Sequence, residues 1–417
     1  MELFRKKLTE AWSFSRAFME WLAVSTLIGA CGGIVGSLFY LSISWVTKLR
    51  EKSPWLIFLL PLGGLVIAAL YRFSKTEGES TNDIIDSILL GSKVDILLLP
   101  VIFLSTVITH LLGGSAGREG AALQIGGSLG CNVGRMLELD EKEERIAILS
   151  GMSAVFSALF GTPVTATVFA LEVCSVGIFH YSGLVPCGIA ALVAYYVTTV
   201  FHIPPTRFTI AAFGVQPAMV VRVCLLAALC ALLSVLFCEF MHASAKLAAK
   251  VMPNTFLRAA IGGVLIIGMT LLVGNQDYNG GGVSIIASAI YDGQALPAAF
   301  LLKILFTAVT LSCGFKGGEI VPTFFVGASF GCVVGPLLGI PAQFAASIAL
   351  VAMFCGGVNC PLASVILAVE LFGSDNIIYF AIVCFISYML SGYSGLYSEQ
   401  KIMYSKLKAE YINVKTD

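Results

Sequence analysis

Residues 117–130 read GREGAALQIGGSLG and residues 318–331 read GEIVPTFFVGASFG. At an offset of 201 residues, Gly117, Gly126, Ser128 and Gly130 fall on Gly318, Gly327, Ser329 and Gly331. The same offset sets Ile84, Ile85 and Ser87 on Ile285, Ile286 and Ser288. An offset of 198 sets PVTATVFALE (163–172) on PLASVILAVE (361–370), proline on proline and Glu172 on Glu370. Three blocks in one order mark an internal duplication, with repeats at about 20–201 and about 215–406.

The chain around these blocks belongs in lipid. Of its 417 residues 58% are hydrophobic and 12% charged, with mean hydropathy +0.91, whereas a soluble domain carries roughly 25% charged residues. Spans need about 20 apolar residues, and the stretches 20–47, 55–72, 95–112, 179–201, 217–240, 255–274, 296–313 and 375–391 meet or approach that length. The stretches 119–136, 143–173, 319–338 and 343–372 are apolar but interrupted by Gly and Pro. Interruptions at membrane depth are tolerated where backbone lines an enclosed cavity. The sequence therefore predicts an all-α integral membrane protein, residues 1–417 forming one membrane domain of tilted and broken helices in two repeat-related halves. Inverted halves would bring equivalent turns together near the midplane, as in many transporters.

Lys plus Arg and Asp plus Glu balance at 25 each, which leaves no footprint for nucleic acid. The twelve cysteines sit mainly inside apolar runs as packing residues, and neither they nor His180, His202 and His242 have metal-ligand spacing. No metal and no cofactor is expected. The charged, amphipathic N-terminus lacks the features of a cleaved signal peptide, and the polar tail from Ser398 to Asp417 leaves no room for a soluble regulatory domain. Basic clusters at Arg5, Lys6 and Lys7, at Lys48, Arg50 and Lys52, and at Lys401, Lys406 and Lys408 suggest cytoplasmic ends. Both termini are thus expected inside a multi-pass protein of a bacterial plasma membrane.

The chemistry concentrates in GGSAGREG (113–120). Glycines let consecutive amides converge, and a helix N-terminus adds about half a positive charge, so such a turn can hold an anion without a full cation. Glu119 can compete for that position as carboxylate and leave it when protonated. Ionisable residues at membrane depth are rare and usually functional. A helix-capping role or an ion pair with Arg118 is the plainer alternative. Glu172 and Glu370 read as structural partners. The G-x-S-x-G pattern at 113–117 imitates the nucleophile elbow of hydrolases, but that motif needs a preceding strand, and no acid is placed to orient His110. The chain does not read as an enzyme.

These blocks resemble the CLC family of chloride channels and anion/proton exchangers from about Glu20 to Lys406. The resemblance rests on GREG followed by QIGGSLG, on Gly317-Gly318-Glu319-Ile320-Val321-Pro322 followed by GASFG, and on Tyr397 in GLYSEQK, read as the last helical segment. It implies a homodimer with one pore per subunit. Glu119 matches the gating glutamate, the amides of Gly120, Ile320 and Val321 match anion-coordinating groups, and the Tyr397 hydroxyl matches an inner anion donor. Gly117, Arg118, Gly318 and Pro322 support the turns.

Several departures resemble the bacterial fluoride/proton antiporter branch. Gly78-Glu79-Ser80-Thr81-Asn82 stands where chloride members have GSGIP, Ala121 follows GREG, Val173 replaces the internal proton glutamate, and Glu319 adds a carboxylate to the second turn. Fluoride is strongly hydrated, and donors such as Asn82 and Tyr397 would offset its dehydration. Ser80 is a chloride-branch trait, and Ser80 together with Tyr397 supports a chloride/proton exchanger or chloride channel instead. Helix N-capping by Ser80 and Asn82 is the plain alternative for both. The expected activity is exchange of fluoride, or else chloride, for protons, with Glu119 and Glu319 handling the protons.

Overall fold

Proline and glycine decide where the long apolar stretches break. The computed structural model describes residues 2–416. Its first half contains α1 (Glu2–Lys52), α2 (Leu60–Ser74), α3 (Thr81–Leu90), α4 (Leu98–Leu112), α5 (Glu119–Met136), α6 (Glu141–Phe160), α7 (Pro163–Glu172) and α8 (Leu184–Val200). The second repeats the order with α9 (Pro217–Val251), α10 (Thr255–Val273), α11 (Val283–Tyr291), α12 (Ala299–Ser312), α13 (Ile320–Val334), α14 (Ala342–Val358), α15 (Pro361–Phe372) and α16 (Ile377–Leu390). The stretch 143–173 divides where Gly161, at φ 69°, caps α6 and Pro163 opens α7. Its counterpart divides where Asn359, at φ 56°, caps α14 and Pro361 opens α15. Proline suits the first helical turn because it has no N–H to leave unpaired.

The glycines shared by the two motifs bring helices into backbone contact. A Cβ on Gly126 would meet the Gly151 carbonyl of α6, and one on Gly130 the Ala147 carbonyl. In the second half a Cβ on Gly327 would stand 2.6 Å from the Ala349 oxygen of α14. Small residues four apart permit this approach, which is how helices associate where lipid removes the hydrophobic drive.

The halves are inverted. The Glu172 carboxylate, ending α7, accepts the amides of Leu362 (3.2 Å) and Ala363 (2.9 Å) at the start of α15. The Glu370 carboxylate, near the end of α15, accepts those of Val164 (3.2 Å) and Thr165 (2.8 Å) at the start of α7. Each helix is capped by the other's glutamate, so the pair is antiparallel and the structural reading of these acids holds.

Three expectations need correction. Stretches 95–112, 296–313 and 375–391 form α4, α12 and α16, which are only 15, 14 and 14 residues long. At 1.5 Å per residue they reach about 22 Å, short of a bilayer core of about 30 Å. Next, α1 is continuous, and the 43 residues from Arg5 to Lys48 put their basic clusters about 65 Å apart. A helix that crosses the bilayer cannot leave both on its cytoplasmic face. Finally, Tyr397 lies in an irregular turn after α16 rather than in a helix. Beyond it the tail forms β2 (Lys401–Tyr404) and β3 (Tyr411–Lys415), and β2 pairs in parallel with β1 (Ser175–Val176). This small sheet ties the tail to the segment after α7.

Candidate functional site

Two short helices, α5 and α13, begin at the same place in the molecule. The turns before them are joined by an antiparallel bridge in which Gly117 N donates to Gly318 O (2.7 Å) and Gly318 N to Gly117 O (2.9 Å). Only glycine permits this approach: a Cβ on Gly318 would fall on the Gly120 nitrogen, and one on Gly117 would stand 3.1 Å from both Gly318 O and Pro322 Cδ. The first-turn amides of both helices, including those of Gly120, Ile320 and Val321, have no partner within their own helix. Two positive helix ends thus converge on one point.

Both turn glutamates reach this bridge. Glu119 is fully buried. Its Oε2 accepts the Arg118 amide at 2.9 Å, while Oε1 makes no hydrogen bond and lies 3.4 Å from Arg118 Nε. The carboxylate has folded onto an amide of its own turn. The Arg118 guanidinium also lies 4.5 Å over the Tyr40 ring, so it is shared between that ring and the Glu119 carboxylate. From the other side, Glu319 brings Oε2 to within 3.5 Å of where a Gly120 Cβ would stand. Lys316 does not pair with it. The Lys316 ammonium lies 4.1 Å over the Tyr71 ring and 3.4 Å from Glu79 O.

The remaining residues singled out in the sequence divide. Ser80 caps α3: its hydroxyl bonds Asp83 Oδ2 at 2.9 Å and accepts the Asn82 amide at 3.2 Å. Asn82 Oδ1 accepts the Glu399 amide at 3.4 Å, tying α3 to the Tyr397 turn. Tyr397 is 2% exposed and its hydroxyl has no partner among the described residues. A buried orphan donor costs about 1–3 kcal/mol unless something accepts from it. The ionisable groups around it include Glu319 and Glu119. Its turn is held by Gln400, whose Nε2 donates to Val173 O (2.7 Å) and Val358 O (2.8 Å), and by the Leu396 amide bonded to Gly357 O (2.8 Å). Val173 is fully buried.

Sequence reasoning passed over two features. Thr81 Oγ1 donates to Gly120 O (3.3 Å) and accepts Gln124 Nε2 (3.1 Å), which fastens α3 to the first glycine turn. Thr81 stood unremarked between Ser80 and Asn82. Lys303 is fully buried in α12 and donates to Gly280 O (2.6 Å), Ser115 Oγ (3.0 Å) and Tyr278 O (3.1 Å). A single lysine inside AAFLLKILFTAVTL was a readable signal, because charges at membrane depth usually have a task. Ser115, the serine of the hydrolase-like pattern, is therefore bonded to Lys303 and Thr307 and not to His110. The Lys303 nitrogen thus gathers two carbonyls of the 278–280 loop and the Ser115 hydroxyl on one atom. Among the described residues no cluster of His, Cys, Asp or Glu could hold a metal.

A cavity of about 680 Å³ leads to this bridge from the C-terminal end of α1, lined by Tyr40, Arg50, Gly117, Arg118, Glu119, Gly282 and Val321 among others. It opens a route to a site that is otherwise buried.

The comparisons with known proteins agree with this geometry. The model of the voltage-gated chloride channel family matches residues 63–392. A chloride/fluoride channel protein of Pseudomonas syringae pv. tomato is 35% identical over 93% of this chain and 87% of its own length. An H(+)/Cl(−) exchange transporter of Vibrio campbellii is 24% identical over 86% of this chain and 82% of its own. The crystal structure of a CLC-type fluoride/proton antiporter superposes with TM-score 0.88 at 28% identity, covering 92% of this chain and 98% of that one. A slow cyanobacterial Cl−/H+ antiporter shares the fold at TM-score 0.75 and 18% identity over 89% and 94% of the two chains. With the family's pattern spanning most of the sequence and its inverted architecture present in the helices, the chain is a membrane anion transporter of the voltage-gated chloride channel family, the CLC family.

Proposed function

We propose that this transporter is an anion/proton antiporter that exports fluoride, with Glu119 as the gate. The observation that carries the reading is the position of the Glu119 carboxylate. It takes an amide of the glycine turn with one oxygen and sets the other 3.4 Å from Arg118 Nε, so it is held by an amide and a cation as an anion bound there would be. Carboxylate and anion then exclude each other. A protonated Glu119 has no charge to hold it against the amides, so its departure couples proton entry to anion exit. Glu319, reaching the same bridge, is the second proton carrier where the chain has Val173 instead of an acid. The amides of Gly120, Ile320 and Val321 hold the anion, and Tyr397 and Asn82 offer it side-chain donors, the Tyr397 hydroxyl being unused within the chain.

Fluoride is favoured by these unspent donors and by the two relatives whose names include that ion. A small anion gives up more hydration than chloride and needs stronger partners. The chloride reading leans on the Ser80 and Tyr397 hydroxyls, and of these the Ser80 hydroxyl is committed to the α3 cap. We further propose a homodimer with one path in each subunit, in a bacterial plasma membrane with the N-terminus inside. The continuous α1 then places Lys48, Arg50 and Lys52 at the external face, with the cavity beside them.

Flux in reconstituted vesicles tests the reading. Purified protein should move protons against a fluoride gradient, and Glu119→Gln should abolish proton movement. Proton flux undiminished in Glu119→Gln removes that residue from the gate, and efflux of chloride without preference for fluoride removes the selectivity.

A further inference from the structure

The cavity beside Glu119 is far larger than a dehydrated halide, and part of its wall is positive for reasons unrelated to the glycine bridge. Arg50, at the end of α1, is 6% exposed and lines the cavity. Its Nη1 donates to His110 O at 3.0 Å, while among the described residues Nε and Nη2 have no acceptor and no carboxylate lies within ion-pair distance. A guanidinium so deeply enclosed is normally paired. Here it lines a cavity.

The second positive element comes from α11. Gly282, at φ 71°, is its N-cap and offers no side chain, so the amides of Val283 and Ser284 are unpaired within the helix. Gly281, Gly282, Val283 and Ser284 all line the same cavity. The repeat makes the contrast plain. The equivalent helix in the first half, α3, is closed by Ser80 and by the negative Asp83, whereas α11 is left open.

The loop that carries this open end is pinned. Gly280 N donates to Gly114 O (2.9 Å), Asn279 Nδ2 to Gly113 O (2.6 Å), and the Gly280 and Tyr278 carbonyls are held by Lys303. Arg50 lies against it, since a Cβ on Gly280 would stand 2.8 Å from Nη1 and 3.1 Å from Nη2. Guanidinium and helix end are therefore held side by side. Lys48, Glu51 and Asp277 also line the cavity, but all three are exposed; the enclosed charges are Arg50, Arg118 and Glu119.

We propose that Arg50 and the first turn of α11 form a second anion site in this cavity, which takes a hydrated monovalent anion on its way to or from the seat contested by Glu119. Water can remain in a space of this size, so the site collects anions by charge with little selectivity by radius. It raises the local anion concentration beside a gate that must dehydrate its ligand. The role in transport rests on the reading of the Glu119 turn as the path, but occupancy does not.

Crystals of the intact protein soaked in bromide test occupancy without any flux. An anomalous peak in contact with the Arg50 guanidinium and the Val283 or Ser284 amide is expected in the wild type and should be missing in Arg50→Gln. Bromide absent from Arg50, or undisturbed by its replacement, overturns the site. Flux tests the role: Arg50→Gln should raise the half-saturating anion concentration about 3- to 10-fold with the maximal rate within about 2-fold, and Arg50→Lys should stay near wild type. A lowered maximal rate at unchanged half-saturation overturns the collecting role. Bromide at Arg50 together with intact proton flux in Glu119→Gln separates the two readings, keeping this site and discarding the gate.

Discussion

Lys303 Nζ lies 3.0 Å from Ser115 Oγ, so a helix of the second half holds the first glycine turn of the other half directly. The same ammonium holds the Tyr278 and Gly280 carbonyls. Replacing it with methionine keeps much of the volume but leaves the Tyr278 and Gly280 carbonyls without a donor, at about 1–3 kcal/mol each where nothing substitutes, while Ser115 keeps its bond to Thr307. Lys303→Met should lower the thermal unfolding midpoint and reduce anion flux about tenfold or more. An unchanged melt with full flux would mean that the turn is set by its glycines alone.

The bridge itself gives a sharper expectation. Gly318→Ala drives a methyl group onto the Gly120 backbone, and overpacking of this kind costs about 1–3 kcal/mol and moves the turn. Anion flux should be lost while the protein still purifies. Gly214→Ala is the control, because nothing stands within 4 Å of a Cβ there, and its flux should match wild type. Equal flux in the two variants would show that the close approach at Gly318 is not needed.

Tyr397→Phe should separate binding from stability. The hydroxyl has no partner among the described residues, so its removal should leave the unfolding midpoint equal to or above that of wild type in the absence of anion. Anion affinity should fall by up to about tenfold, the value of one hydrogen bond. Isothermal titration and a melt on the same preparation check both halves of the expectation.

Reciprocal capping between α7 and α15 predicts coupled damage. Glu172→Ala and Glu370→Ala should each destabilise by about 1–2 kcal/mol, the value of a helix cap. Because each glutamate caps the helix that carries the other, the double variant should depart from the sum of the singles by more than about 0.5 kcal/mol. Thermal melts of the four proteins close this cycle, and strict additivity would mean that the two caps act independently.

Features whose physics is local were legible in the chain. Apolar runs require lipid wherever they lie, glycine clusters free their own amides, and proline after a capping residue ends one helix and starts the next. The breaks at 161–163 and 359–361, the two glycine turns, the duplicated order and the family pattern could therefore be read from residues alone. The matching positions of Glu172 and Glu370 announced a shared role, though not their partners.

What required the folded chain was every fact about who meets whom. No local rule brings Gly117 to Gly318 across 201 residues, or turns each α7 and α15 glutamate onto the other's helix. Ser80 could have served an anion or a cap, and only the nearby Asp83 carboxylate committed it to the cap. Basic clusters at both ends of α1 looked equivalent until the unbroken helix separated them by its length. Lys303 stood out in the sequence as a lone charge and Arg50 as one of a basic cluster, but neither showed what it meets. Their meaning came from burial and from the absence of a nearby carboxylate, because the cost of an enclosed charge is set by the groups that three-dimensional packing brings around it.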